Sequence, residues 1–350
     1  MTQQNDKPTI GITMGDPAGI GSQIIVKALS DAALLQRAKF VVYGANESLT
    51  LAADRCQIQP RWFRVDEQSE RARSRIKEPI VVRDDSEDEL HLIRCEPSAL
   101  GGRVSKRWVE TAIKDALRPT SDPRHLDGVV TAPICKQSWS AAGYKWAGHT
   151  ELFASRTKSK RHAMMFVAPK LRVVLATCHL PLMDIRNVLT IGRVFDAIDL
   201  AASGCLELGI KNPRIAVTGL NPHAGEGGVF GDEESRLIEP AIKIASNNGL
   251  DVHGPFPADT IYTAAVNGAY DVVVAMYHDQ GLLPVKLLCP QEAVNWTLGI
   301  PIIRTSPDHG TAFDIANTDS ANPRSMVHAI TLACDLASSR CTPPLLELAP

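Results

Sequence analysis

Asp271-Val-Val-Val-Ala-Met276 runs without a break into Tyr277-His278-Asp279-Gln280-Gly281. The apolar part is continuous and β-branched rather than alternating. It therefore reads as a strand covered on both faces, the kind from which parallel sheets are built. Five further runs share this character, at 9–13, 40–43, 128–131, 172–177 and 214–219. Amphipathic stretches of helical length separate them, at 21–29, 107–117, 191–208 and 233–248. Strand and helix alternating in this way predict an α/β fold, with a mostly parallel sheet and helices on both faces.

The chain has 350 residues, more than one hydrophobic core of ~250–300 residues usually holds, so two lobes are expected. A net charge of -2 provides no broad basic face, and nucleic acid is not an expected partner. No apolar run reaches the ~20 residues needed to span a bilayer. The start, MTQQNDKP, has no apolar core of a secretory signal, and the eight cysteines form no CxxC pair. Reduced thiols and a cytoplasmic location are the expectation. The charge-rich segment 66–88 reads as peripheral surface, and the final CTPPLLELAP as a loosely attached tail.

In open α/β sheets ligands bind beyond the carboxyl ends of the strands, and the polar clusters of this chain fall there. The run 172–177 leads to His179, 214–219 to Asn221-Pro222-His223, and 271–276 to His278. Three imidazoles at neighbouring strand exits suit a divalent metal with positions left open for substrate oxygens. Asp279 reads as an outer partner of that centre or as a loop cap. His149 and Thr150 stand at a helix start, where backbone N–H groups favour an anion. Lys286, Asn295 and Arg304 follow the last histidine at intervals of about nine. Arg304 reads as a strand exit behind the run 299–303, suited to phosphate or carboxylate. The polar segment 305–314 has the character of a loop that wraps an adenosine.

Gly15-x-x-x-Gly19-x-Gly21 has the spacing of a short-chain dehydrogenase loop. However, Asp16 is ill suited to a pyrophosphate, and no Tyr is followed by Lys four residues on. GxGxxG after a strand, GxxxxGK[ST], HExxH and GxSxG are all absent, which argues against the Rossmann, P-loop, zincin and α/β-hydrolase readings.

Eight ordered segments carry a resemblance: Gly15-Asp-Pro-Ala-Gly-Ile-Gly21, Thr131-Ala-Pro133 with Lys136, Gly148-His-Thr-Glu151, Thr177-Cys-His-Leu-Pro181, Gly219-Leu-Asn-Pro-His-Ala-Gly-Glu-Gly-Gly228, Pro257-Ala-Asp-Thr260, Met276-Tyr-His-Asp-Gln-Gly281 and Arg304-Thr-Ser-x-Asp-His-Gly-Thr311. Together they resemble the 4-hydroxythreonine-4-phosphate dehydrogenase family of pyridoxal phosphate biosynthesis. The resemblance implies a two-lobed α/β/α fold like that of isocitrate and isopropylmalate dehydrogenases, and not a Rossmann fold. The first lobe would comprise 1–130 and about 305–350, and the second about 131–304. The family implies NAD (or NADP) as oxidant and one divalent ion (Zn, Mg, Mn or Co) on His179, His223 and His278. It further implies a homodimer with its site at the subunit interface, His278 coming from the partner. Substrate contacts would come from His149, Thr150, Lys286, Asn295 and Arg304, and cofactor contacts from Asp308, His309 and Gly310. Asp259 and Lys136 are the candidates for the base that takes the hydroxyl proton. The implied reaction is oxidation and decarboxylation of 4-phosphohydroxy-L-threonine. Threonate or erythronate 4-phosphate oxidation, or a metal-dependent hydrolase or lyase without nicotinamide, stand as alternatives. So does a non-catalytic phosphate-binding protein.

Overall fold

The computed structural model describes residues 7–85 and 94–341. They divide into two compact units, one made of the chain up to Leu152 together with everything from Ile302 onward, the other of Phe153–Pro301. The first unit is discontinuous in sequence. Its boundary falls after Leu152 rather than after residue 130, because the short helix that follows its fifth strand packs back onto the first unit.

The first unit holds strands β1 (Thr9–Thr13), β2 (Lys39–Tyr43), β3 (Phe63–Asp66), β4 (Ile80–Asp84) and β5 (Gly128–Thr131), with β12 (Arg304–Pro307) returning late in the chain. Their order is β3-β4-β2-β1-β5-β12, every pair parallel. Its helices are α1 (Gly21–Leu29), α2 (Ala32–Arg37), α3 (Asn46–Arg55), α4 (Ala99–Ala116), α5 (Lys136–Ala141) and α12 (Arg324–Cys341). Consecutive residues Phe40, Val41, Val42 and Tyr43 of β2 are all buried, so both faces are covered and the sequence does not alternate.

Two expectations need correction here. Segment 66–88 is not peripheral: β4 lies inside the sheet between β2 and β3, with Val81 and Val82 buried. Its charges hide it, since Arg83 is itself buried and paired with Asp115 at 3.0 Å. Residues 86–88 lie outside the described residues, as does the tail from 342. Arg304 opens β12 rather than leaving a strand, paired in register with Val129 of β5. The apolar residues before it form a loop, and Thr305 Oγ1 donates to Ala329 O of α12 at 2.8 Å.

The second unit carries β6 (Ala163–Ala168), β7 (Leu171–Leu175), β8 (Ile215–Thr218), β9 (Val252–Phe256), β10 (Val272–Ala275) and β11 (Val294–Leu298). Their order is β11-β6-β7-β10-β8-β9. The pairs β11–β6 and β6–β7 are antiparallel and the rest parallel. The helices are α7 (Ile185–Val188), α8 (Ile191–Glu207), α9 (Glu239–Asn247), α10 (Ala258–Val266) and α11 (His278–Leu288), while α6 (His149–Arg156) crosses the division. Leu282 and Val285 of α11 pack into a core with Val173, Leu175, Val273 and Ala275. No helix among the described residues is long and apolar enough to cross a membrane.

α5 sits on α4 only because residue 102 is glycine. A Cβ there would fall 2.0 Å from Ser138 O, a backbone atom. The Trp139 indole donates to Ser105 Oγ at 3.0 Å across the same contact. Gly102→Ala is expected to lower stability by about 1–3 kcal/mol through overpacking, read as a fall in the thermal midpoint. An unchanged midpoint would show that the helices can part without cost.

Candidate active site

In the first unit, the residues read as anion contacts gather at the start of α6. Helix α6 begins at His149, whose ring meets Trp139 edge-on at 5.7 Å. Burial, and secondarily the Arg304 charge, push the His149 imidazole well below its usual range, so it is neutral at physiological pH. Its Nε2 is shielded from solvent with no hydrogen-bond partner among the described residues. Thr150 is buried beside it. Arg304 is 2% exposed and donates through Nη2 to Thr131 Oγ1 at 2.6 Å. Burial lowers its guanidinium to about 10, with Glu151 opposing, so the cation persists at neutral pH. Lys136 opens α5, and its Cε would lie 3.8 Å from a Cβ placed on Gly148. A buried cation, a neutral imidazole donor and a helix N-terminus together suit an anionic group.

The depressed His149 has a consequence for acid stability. Below about 6.5 the unfolded chain protonates this imidazole while the folded chain does not, so the unfolded state binds more protons. Stability therefore falls as pH drops from about 6.5 towards the folded value. His149→Asn should flatten that part of a plot of thermal midpoint against pH. A slope unchanged by the substitution would show that the ring titrates normally.

The glycine loop 15–21 supports this unit rather than a pyrophosphate. Asp16 is buried, its Oδ1 accepts from Ala18 N at 3.0 Å, and burial raises its carboxyl above the usual range. Gly15 takes φ +76° and leaves no room for a Cβ beside Pro133 O, 2.2 Å away. Ile20 N donates to Thr311 O at 2.9 Å, so the loop holds the segment carrying Asp308, His309 and Gly310. Asp308 N donates to Ser325 Oγ at 3.2 Å, and His309 Nε2 is buried without a partner among the described residues.

In the second unit the neighbouring parallel strands β7, β10 and β8 deliver the three histidines. The His179 and His278 rings lie 5.7 Å apart, facing one cavity of about 260 Å³ lined also by Thr177, Cys178, Tyr277 and Asp279. His278 Nδ1 bonds to Asp279 Oδ1 at 2.7 Å, which leaves Nε2 as the lone pair for a ligand. Such a pair suits a divalent ion. Among the described residues no three His, Cys, Asp or Glu side chains of one chain gather to hold one. His223 is exposed and stacks near Phe230 at 6.1 Å instead. It opens a left-handed turn in which His223, Ala224, Gly225, Glu226 and Gly227 all have φ between 44° and 81°. Each non-glycine residue there costs of order 1–2 kcal/mol, and such strain persists where the surroundings fix it.

Lys286 is exposed on α11, and Asn295 is buried in β11 with Oδ1 lacking a partner among the described residues. Asp259 is exposed in the first turn of α10. The residues that sequence reasoning left without a role are Thr131 and Trp139 in the first unit and Gln280 and Glu234 in the second. Gln280 was in view beside His278, while Glu234 sits in an acidic run that resembles an ordinary helix start.

Residues 36–333 match the model of a family described as pyridoxal phosphate biosynthetic protein PdxA. The chain belongs to the PdxA family. It is an oxidoreductase of that family. It is 41% identical to a 4-hydroxythreonine-4-phosphate dehydrogenase of Desulfosudis oleivorans, over 95% of this chain and 97% of that one. It is 43% identical to a D-threonate 4-phosphate dehydrogenase of Salmonella typhimurium, over 94% and 99%. A crystal structure of 4-hydroxythreonine-4-phosphate dehydrogenase from Klebsiella pneumoniae superposes with a TM-score of 0.82, at 39% identity over 95% and 99%. A β-decarboxylating dehydrogenase, 12% identical with a TM-score of 0.50, shares the fold alone. The two-lobed α/β architecture expected of the PdxA family is thus the one observed.

Proposed function

We propose that this PdxA-family chain oxidises 4-phosphohydroxy-L-threonine with NAD, releasing CO2, NADH and 3-amino-2-oxopropyl phosphate, as a step towards pyridoxal 5'-phosphate in the cytoplasm. The observation that carries the reading is the imidazole pair on adjacent strand exits, in a chain whose relatives include 4-hydroxythreonine-4-phosphate dehydrogenases. A divalent ion on this pair would supply Lewis-acid polarisation of substrate oxygens. The 5.7 Å approach of the two rings supports a reading in which His179 and His278 come from one chain and His223 of a second copy completes the set.

Exposed apolar residues support such a dimer. Leu182 and Met183 follow His179, Val229 and Phe230 follow His223, and Leu287 of α11 is 81% exposed. Apolar surface of this kind around a site marks an interface. Arg304, His149 and Thr150 grip the phosphate, with Lys286 and Asn295 as further contacts. The segment Asp308-His309-Gly310 holds the adenosine of the dinucleotide. Lys136, which opens the helix beside His149, is preferred over the exposed Asp259 as acceptor of the hydroxyl proton.

The test is a panel of 4-phosphohydroxy-L-threonine, D-threonate 4-phosphate and erythronate 4-phosphate, each with NAD and added Mg, Mn, Co or Zn, followed at 340 nm. Turnover should be highest with the first and require the ion. D-Threonate 4-phosphate is a second reading, carried by the 43% identity to an enzyme named for that substrate. A kcat/KM tenfold higher for it would reverse the assignment. Loss of phosphate or cleavage without NADH would point to a hydrolase or lyase.

A further inference from the structure

The exits of β7, β10 and β8 are joined by one buried amide. Gln280 Oε1 accepts from Thr218 Oγ1 and from Met276 N, each at 2.7 Å. Its Nε2 donates to Gly219 O, also at 2.7 Å. The other amide orientation would set its NH2 against the Met276 N–H and its oxygen against the Gly219 carbonyl, so the network itself fixes which end is oxygen. Thr177 Oγ1 then donates to Met276 O at 2.7 Å, bringing in the third exit. Thr218 and Gly219 form the stem of the His223 turn, Met276 precedes His278 by two residues, and Thr177 precedes His179 by two.

Beyond the stem, Glu234 takes over. It is buried; its Oε1 accepts from Leu220 N and Asn221 N at 2.8 Å each, and its Oε2 from Asn221 Nδ2 at 3.0 Å. A Cβ on Gly225 would lie 2.7 Å from Oε2, so the turn closes against this carboxylate. Residues 218–221 are therefore held by side chains at each step. The side chain of Gln280 ties them to the strand carrying His278.

We propose that Gln280 is a positioning residue of the metal centres: it fixes the stem of the His223 turn, which serves the site shared with a second copy, against the exits that carry His278 and His179 of its own site. This rests on the reading of those three histidines as metal ligands. A group that orients ligands from behind typically alters metal affinity 10–100-fold when removed.

The experiment is titration of the metal-free, full-length protein with Co2+ against a chelator of known affinity, with the visible Co2+ absorption recorded and the metal-free thermal midpoint measured in parallel. Gln280→Met keeps the length and removes all three hydrogen bonds. It should weaken Co2+ binding by about 10- to 100-fold and alter the absorption, beyond any change in midpoint. Thr218→Val removes one of the bonds without touching Gln280, and should weaken binding several-fold in the same direction even if Gln280→Met fails to fold. Wild-type Co2+ affinity and spectrum in both variants, or in Thr218→Val alone if Gln280→Met does not fold, would overturn the inference, provided His278→Ala has lost the ion. If His278→Ala binds Co2+ like the wild type, the metal reading fails, and this inference with it.

Discussion

Arg304→Ala is expected to lower kcat/KM for a four-carbon acid 4-phosphate by about a hundredfold to a thousandfold, most of it in KM. Arg304 is buried, its charge is maintained although burial opposes it, and it donates to the neutral Thr131. Removing one partner from a buried charge pair costs about 2–5 kcal/mol, and 1.4 kcal/mol is tenfold. The same change should move the thermal midpoint of the ligand-free protein much less than it moves activity, because the desolvation penalty of a buried cation offsets what its neighbours return. Activity and thermal midpoint should thus move independently. Arg304→Lys should recover only part of the loss, since an ammonium cannot reproduce the planar fork. The measurements are steady-state kinetics and a melting curve for each variant. An Arg304→Ala enzyme with wild-type KM would remove this residue from the substrate site.

The second large effect concerns the sharing of histidines between subunits. His179→Ala and His223→Ala should each be nearly inactive alone, with kcat down by about 10²–10³, a fall of the size expected when one group stabilising the reacting oxygens is lost. Mixed by unfolding and refolding together, or by coexpression, they should regain activity. A hybrid dimer has one site built from the intact His179–His278 pair of one chain and the intact His223 of the other. Its second site lacks both. About half of a random mixture is hybrid with one working site of two, so activity should return to roughly a quarter of wild type by this simple counting. If every ligand came from a single chain, no hybrid could work and the mixture would stay dead.

Much of this site was legible because strand exits are legible. Continuous runs of Val, Ile and Ala mark strands covered on both faces, and whatever polar residue follows each one faces the ligand side. That logic singled out His179, His223 and His278, of which the first and last lie together, and it located β1, β2, β5, β7, β8 and β10 to within two residues. It failed where charges interrupt a core strand. Arg83 and Asp84 in β4 looked like surface because their partners, Asp115 and Arg64, lie far off in the chain. It also misread Arg304, because an apolar run before a basic residue has the same spelling whether it is a strand or a loop. Which histidines pair could not be read at all. His179 and His278 are 99 residues apart in sequence, and only the strand order, with β10 beside β7, brings them together. Gln280 and Glu234 belong to the same class: their partners are backbone groups, which sequence does not distinguish.

The discontinuous first unit bears on how the enzyme is made. Phe153–Pro301 is one unbroken stretch and can complete its sheet as soon as it has left the ribosome. The earlier residues must wait for β12 and α12, translated last, before their own sheet gains its final strand. The paired rings of His179 and His278 are therefore encoded in a stretch that is complete before Arg304 is synthesised, so the two units carry their candidate residues into the fold at different times.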